Sequence, residues 1–483
     1  MKIYLKRFVS IILFFCGIFL ICLVLDYCVA DDTKSFTRIT FHDFYQSEAC
    51  IIFLGTSHGL KSVNAEQLTK DMGKEVFNLC TSGQNYIEAY YVLKDAVKNK
   101  NIEEVFLELS PSRLELDGPK GGGTALYIIS DYISSPVIKS QLIMSDVGPD
   151  GYINAFSRLR RNIDPLDIDS IDSYKSIVNK KNSEKYKDFT NVSSYGGRGQ
   201  FIENGEIGIG LTGAINLEGS SYIKPFKYDQ RNKKQWKHLE KIAELCRKKK
   251  IRLHIFVNPY PEVYLLRNKD YSKICEDVKN DICGKDFDFI DLNLVKDEYL
   301  KFDLRDFYNL DHLSSSSAER MCTFLAEYYK EPSKDYFCDD LTEKYSDRDS
   351  VVDVGYKLYY VLDNEEFKLS SIPETGADYM KVIISAISDK KIPVDVRLSS
   401  VCLKDNYTND DVANAELLNI PKGFSGVSEY FDEIHSFEPT DKSDYESEFI
   451  LPYDGLQTMY KVELLLPGSD IVIYEAFTQF DKK

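Results

Sequence analysis

The sequence predicts an α/β protein: a parallel sheet covered by helices on both faces, carrying a long insertion, preceded by one apolar helix and followed by an all-β domain. Three observations predict it. Short apolar runs ending in Gly, Ser or Asn alternate with helix-compatible segments over residues 50–115 and again over 230–330. An uncharged stretch, Phe8 to Leu25, sets the amino terminus apart from the rest. Beyond about residue 345, β-prone runs follow one another with no long helix between them.

Composition sets the outer bounds. A chain of 483 residues suits about two to three domains. With 43% hydrophobic and 28% charged residues its bulk is globular, neither disordered nor a multi-span membrane protein. A net charge of −17 argues against nonspecific nucleic-acid binding, which needs clustered Lys and Arg to displace counterions.

The first element is residues 1–30. Lys2, Lys6 and Arg7 precede 18 uncharged residues rich in Phe, Ile and Leu. As a helix these span roughly 27 Å, near the lower limit for crossing a bilayer. Asp26, Asp31 and Asp32 follow, so the positive-inside rule leaves the tip in the cytoplasm and exports the remainder. The other reading is a cleaved signal peptide ending at Cys28-Val29-Ala30. Cys is a poor fit to the small-residue cleavage site, which favours a retained single-pass anchor. Three of the 11 cysteines lie in this segment. The other eight sit in a compartment that permits disulfides, with Cys275/Cys283 and Cys322/Cys338 the nearest pairs; buried free thiols are the alternative. No His/Cys spacing suggests zinc.

Residues 31–345 form the α/β domain. Its strands are Cys50-Ile-Ile-Phe-Leu-Gly, Glu75-Val-Phe-Asn-Leu-Cys, Glu104-Val-Phe-Leu-Glu-Leu-Ser, Arg252-Leu-His-Ile-Phe-Val-Asn and Phe287-Asp-Phe-Ile-Asp-Leu. Helical spacing occupies 85–99, 230–249 and 262–280, and a closing helix follows His312. Residues 116–228 break the rhythm and read as an insertion of helices and loops over the sheet. Its Gly clusters lack the Gly-Lys-Ser/Thr of a phosphate loop. The acidic stretch at Ser346-Asp-Arg-Asp-Ser links this domain to a β-domain over 346–483, expected to be a sandwich.

In an open parallel sheet, ligands bind beyond the carboxyl ends of the strands. The residues there are Gly55-Thr-Ser57-His58, Thr81-Ser-Gly83-Gln-Asn85, Ser110-Pro-Ser112, Asn258-Pro-Tyr260 and Asn293. Ser57 is the nucleophile candidate, because its hydroxyl follows the first strand directly, in a turn whose amides face developing negative charge. A serine needs a base. Of six His, His42, His238, His254 and His435 fall away from this edge, leaving His58 and His312. Side chains adjacent in sequence point apart, which favours His312. As structural roles, Ser57 would cap a helix, Gly83 would serve a turn, and Asn258 would close a strand.

Gly-x-Ser after the first strand, a Gly after the second and a His opening the last helix resemble the SGNH hydrolase superfamily. The Gly-Thr-Ser-His form and the anchor are closer to the branch holding the D-alanyl transfer protein of teichoic-acid synthesis and alginate O-acetyltransferases. The resemblance covers roughly residues 50–115 and 230–330. It implies a three-layer, flavodoxin-like α/β fold, Ser57 as acyl acceptor, His312 as general base, and the Ser57 and Gly83 amides as oxyanion hole. Asn85, His58 and Asn258 are further candidates for that oxyanion or substrate site. It implies no metal or dissociable cofactor.

Two departures stand out. The superfamily's Asn block after the third strand is replaced by Leu109-Ser110-Pro111. The acid expected three residues before the His is Asn309, which can orient an imidazole but supplies no charge to stabilise imidazolium. Asp311 and Asp306 are nearby substitutes. The expected activity is acyl transfer to, or ester hydrolysis on, a cell-surface polysaccharide or teichoic-acid-like polymer, with a polytopic membrane protein supplying acyl groups. The alternative is a degenerate scaffold that binds surface glycan or assists its assembly. The Arg158-Leu-Arg160-Arg161 cluster reads as a solvated helix face or a contact to an anionic polymer or lipid headgroup.

Overall fold

The computed structural model describes residues 2–115, 123–162, 170–203, 206–207, 228–260, 264–265, 268, 270–302, 306–307, 312–344, 352–362, 365–368, 379–388, 394–403, 427–437, 444–452, 458–465 and 472–479. The chain divides into two compact units. The first holds residues 1–60, 74–202 and 230–254; the second holds 61–73, 203–229 and 255–483.

The parallel-sheet α/β fold read from the apolar runs is present. Strands β1 (Ile51–Leu54), β2 (Val76–Asn78), β3 (Glu104–Glu108), β4 (Arg252–Val257) and β5 (Asp288–Asp291) make one sheet in the order β2-β1-β3-β4-β5. β1 runs parallel to both β2 and β3. Every residue of these three strands is buried, as expected when both faces of a parallel sheet are covered. Inside the first unit the polar intruders of the sheet are paired. His254 Nε2 lies 3.0 Å from a Glu104 carboxylate oxygen, and its ring stacks on Phe106.

The helices of the first unit are α1 (Lys2–Val29), α2 (Phe36–Gln46), α3 (Ser57–Ser62, which runs into the second unit), α5 (Tyr86–Asn99), α6 (Pro111–Glu115) and α13 (Lys233–Lys249). The helix α4 (Ala65–Met72) lies in the second unit. The insertion supplies α7 (Thr124–Ser130), α8 (Pro136–Asp146), α9 (Tyr152–Phe156), α10 (Arg158–Asn162), α11 (Ser170–Asn182) and α12 (Glu184–Lys187). α5 buries Ile87, Val92, Leu93 and Ala96, and packs against α13 and α8. Residues 195–199 of the insertion close the edge of β2. Asn78 N–H donates to the Arg198 carbonyl at 2.9 Å, and Asp43 accepts from the Tyr195 hydroxyl and the Arg198 amide.

α1 is the one helix among the described residues long and apolar enough to cross a membrane, over Arg7–Val29. At about 1.5 Å per residue its 23 residues reach roughly 34 Å. Its Phe, Leu and Ile side chains are exposed along most of its length, but its carboxyl end is built into the first unit. The Lys181 side chain is 2% exposed; its ammonium donates to the carbonyls of Tyr27 and Ala30 and lies 3.4 Å from Asp32.

In the carboxyl-terminal region eight strands form two four-stranded sheets. One has the order 444–452, 379–388, 352–362, 365–368; the other has 427–437, 394–403, 458–465, 472–479. All their pairings are antiparallel. Of the two readings left open for the cysteines, the free thiol is the one present at the nearest pairs: Cys275, Cys283, Cys322 and Cys338 are unbridged. Burial pushes the Cys322 thiol up to about 12.

Candidate functional site

Ser57 is the first residue of α3, three positions past the end of β1. The turn that carries it is gripped from two sides. From β3, the Glu108 carboxylate, fully buried, reaches under the turn. One oxygen accepts from the Thr56 amide at 2.7 Å and the Gly59 amide at 3.2 Å. The other accepts from the Thr56 hydroxyl at 2.8 Å. From the β2 side, the Gln84 side-chain oxygen accepts from the Gly55 amide at 2.9 Å, and its nitrogen donates to the Leu79 carbonyl at 3.1 Å. Thr81 N–H adds a bond of 3.0 Å to the Gly55 carbonyl.

Gly55 is required by this closeness. A Cβ there would lie 2.4 Å from the Glu108 carboxylate oxygen and 2.5 Å from its Cβ. Gly83 is required by its backbone, whose φ of 76° is left-handed; a Cβ there would also lie 3.4 Å from that of Ala125. The first-strand and second-strand turns are therefore hydrogen-bonded to each other, and the loops carrying Ser57 and Gly83 share one rigid edge.

His58 belongs to the same clamp. Its Nδ1 lies 3.4 Å from a Glu108 oxygen, and its side chain is 10% exposed. Asn85 is the N-cap of α5. Its side-chain oxygen accepts from the Ile87 and Glu88 amides, and its nitrogen donates to Asp146. Glu88 returns a bond to the Asn85 amide at 2.8 Å, completing a capping box. Burial raises the Glu88 carboxyl well above the ordinary range, with the Asp146 charge adding to it; burial also raises Asp146.

Asn258 and His312 lie in the second unit. Asn258 follows β4; its side-chain oxygen accepts from the Ser62 hydroxyl at 3.2 Å, and its buried side-chain nitrogen has no hydrogen-bond partner among the described residues. Asn293 donates to the Asn258 carbonyl at 3.0 Å and accepts from the Tyr260 amide at 2.7 Å. His312 is half-buried, just before the Ser315–Lys330 helix, as the sequence places it. Asp306, one substitute acid, accepts from Ser317 and Arg320 at the start of that helix. Asn309 and Asp311 lie outside the described residues.

Sequence reading missed Glu108 and Gln84. A signal for the first was present: Glu104 and Glu108 interrupt an otherwise apolar run, and Glu108 stands at its carboxyl end. An acid at that position needs donors, and the Gly-Thr-Ser-His-Gly turn 52 residues earlier supplies them.

The sequence matches no known family model and no curated protein. Among solved structures, a GDSL-like lipase from Bacteroides thetaiotaomicron is 8% identical, with 62% of this chain and 100% of that one covered at a TM-score of 0.28. A Listeria innocua β-glucosidase in complex with isofagomine is 9% identical, covering 90% of this chain and 46% of that one at 0.17. A Bifidobacterium dentium β-glucuronidase is 12% identical, covering 28% and 18% at 0.16. Superpositions this loose identify no family, and the functional reading rests on the site itself.

Proposed function

We propose that the chain is a membrane-anchored, extracytoplasmic serine acyltransferase or esterase acting on a cell-surface polysaccharide or teichoic-acid-like polymer. The observation that carries this reading is the Ser57 turn. A serine at the carboxyl end of β1 sits on a backbone held by a buried carboxylate and a buried amide, and such immobility is what an attacking hydroxyl requires.

The chemistry follows from the residue types. Ser57 Oγ attacks the acyl carbonyl while its proton passes to His312. That proton then leaves with the departing alcohol, and the acyl group remains as a serine ester. An acceptor sugar hydroxyl, or water, loses its proton to His312 and attacks the ester; His312 returns that proton to Ser57 Oγ as the acyl–serine bond breaks, which frees Ser57. The Ser57 and Gly83 amides are the donors offered to the oxyanion. An acyl donor supplied by a polytopic membrane protein fits the anchor. The two carboxyl-terminal sheets are read as a sandwich that binds glycan through Tyr and Phe, because the only Trp, Trp236, lies elsewhere.

The test uses the full chain in detergent with a chromogenic acetyl ester and a fluorescent fluorophosphonate. Labelling and turnover are expected, with both lost in Ser57→Ala and turnover reduced at least a hundredfold in His312→Ala. Labelling that persists in Ser57→Ala overturns the assignment of the nucleophile. No labelling, together with retention on a glycan column, favours the binding protein that Asn309 suggests.

A further inference from the structure

The first unit contains an open cavity of about 1030 Å³ beside the end of α1, lined by Ala30, Asp31 and Asp32 on one side and by α9 and α10 on another. Its acids are largely matched. Asp32 pairs with Arg158 and Lys181, and Asp131 pairs with Arg161 and Lys139. Two of its cations are unmatched: the exposed side chains of Lys34 and Arg160 have no acidic or hydrogen-bonding partner among the described residues. α9, which lends Asn154 to the wall, also exposes Ile153 (71%) and Phe156 (46%). At its inner end the cavity reaches Leu60 of α3 and Thr81-Ser82, next to Gly83.

We propose that this cavity holds the phosphate headgroup of an anionic phospholipid from the membrane that α1 crosses. Three features converge on that occupant. The cavity opens where the apolar helix ends, which is headgroup depth for a chain anchored by α1. Its lining cations, Lys34, Arg158, Arg160 and Arg161, outnumber its acids, Asp31, Asp32 and Asp131, and Lys34 and Arg160 are free to meet a phosphodiester. The helix α9, which lends it Asn154, exposes the bulky apolar Ile153 and Phe156, which lie favourably at the boundary of headgroup and acyl chain. An anionic lipid seated there would fix the height of the Ser57 turn above the bilayer. The proposal rests on α1 as a retained anchor and does not require Ser57 to be a nucleophile.

The experiment is native mass spectrometry of the full detergent-purified chain with equal phosphatidylglycerol and phosphatidylcholine, alone and with millimolar inorganic phosphate. Phosphatidylglycerol is expected to be retained preferentially, and Arg160→Glu with Lys34→Glu to lower that retention about tenfold or more. Both side chains are exposed and unpartnered, so thermal unfolding should match the parent. Ile153→Ser with Phe156→Ser is expected to lower retention of both lipids. Equal retention of the two lipids, or retention unchanged by the charge reversals, overturns the proposal. So does displacement by inorganic phosphate, which would mark a site for the free ion. Fluorophosphonate labelling in the same samples separates failure of this site from failure of the catalytic reading.

Discussion

At the residue scale, the candidate site depends on one carboxylate. Glu108 accepts three hydrogen bonds from a single turn while fully buried, so removing it strands the donors of Thr56 and Gly59 away from water. Glu108→Ala is expected to weaken the turn by about 3–5 kcal/mol, and Glu108→Gln, which keeps one acceptor, by about 1–3 kcal/mol. Hydrogen exchange reads this locally: protection of the Thr56 and Gly59 amides should fall by about a hundredfold or more in the alanine variant. Unchanged protection would show that the turn stands without the carboxylate. Gly55→Ala pushes a methyl into the same group and should cost about 1–3 kcal/mol by overpacking, seen as a lower unfolding midpoint. Ser57 and Gly83 were legible in the sequence because a short local motif carries them. Glu108 was not, because its meaning is a partner 52 residues away that only the sheet order brings close.

At the element scale, the α5–α8 contact has a pH dependence built into it. Glu88 on α5 and Asp146 on α8 are buried, burial raises both carboxyls, and the Asp146 charge raises Glu88 further; Arg113 opposes this at Glu88 and Lys234 at Asp146. The folded state therefore holds protons that the unfolded chain releases near the ordinary carboxylate value of about 4. The contribution is fully favourable below that value and is lost as pH rises through the raised folded values. Asp146→Asn removes the second charge and keeps a carbonyl for the Asn85 bond. Relative to the parent, this variant should gain stability as pH rises from about 5 to 8, by about 1 kcal/mol at the upper end. Parallel melting curves that keep the same offset at both pH values would sink the prediction. The strands were readable because short apolar runs dominate them, and α5 because its apolar positions recur at helical spacing. The α8 partner was not, since α8 lies in an insertion whose sequence shows no dominant periodicity, and its packing is set by α5.

At the scale of the whole molecule, the question is whether α1 remains part of the protein. Its apolar surface is what a signal peptide would also show, so composition alone left both readings open. Lys181 gives them different consequences. A lysine side chain 2% exposed is tolerated only where its ammonium is neutralised and bonded, and two of its partners are the carbonyls of Tyr27 and Ala30 at the end of α1. Cleavage after Ala30 would remove both carbonyls, together with Asp26, which lies 3.7 Å from Arg158. Asp32, with the charge of Asp31 nearby, would remain for the buried ammonium. The expected outcome is that the chain stays with the membrane through alkaline carbonate extraction and that peptides from residues 8–30 are recovered from it by mass spectrometry. In the retained chain, Lys181→Ala leaves the end of α1 without its donors and should speed proteolysis across residues 30–34 several-fold, with the chain still in the membrane fraction. A mature protein that begins at Asp31 and leaves the membrane in carbonate would refute the anchor. The buried ammonium would then keep its carboxylates, Asp31 and Asp32, but lose both carbonyls, and its burial would have to be maintained without the helix that now ends on it.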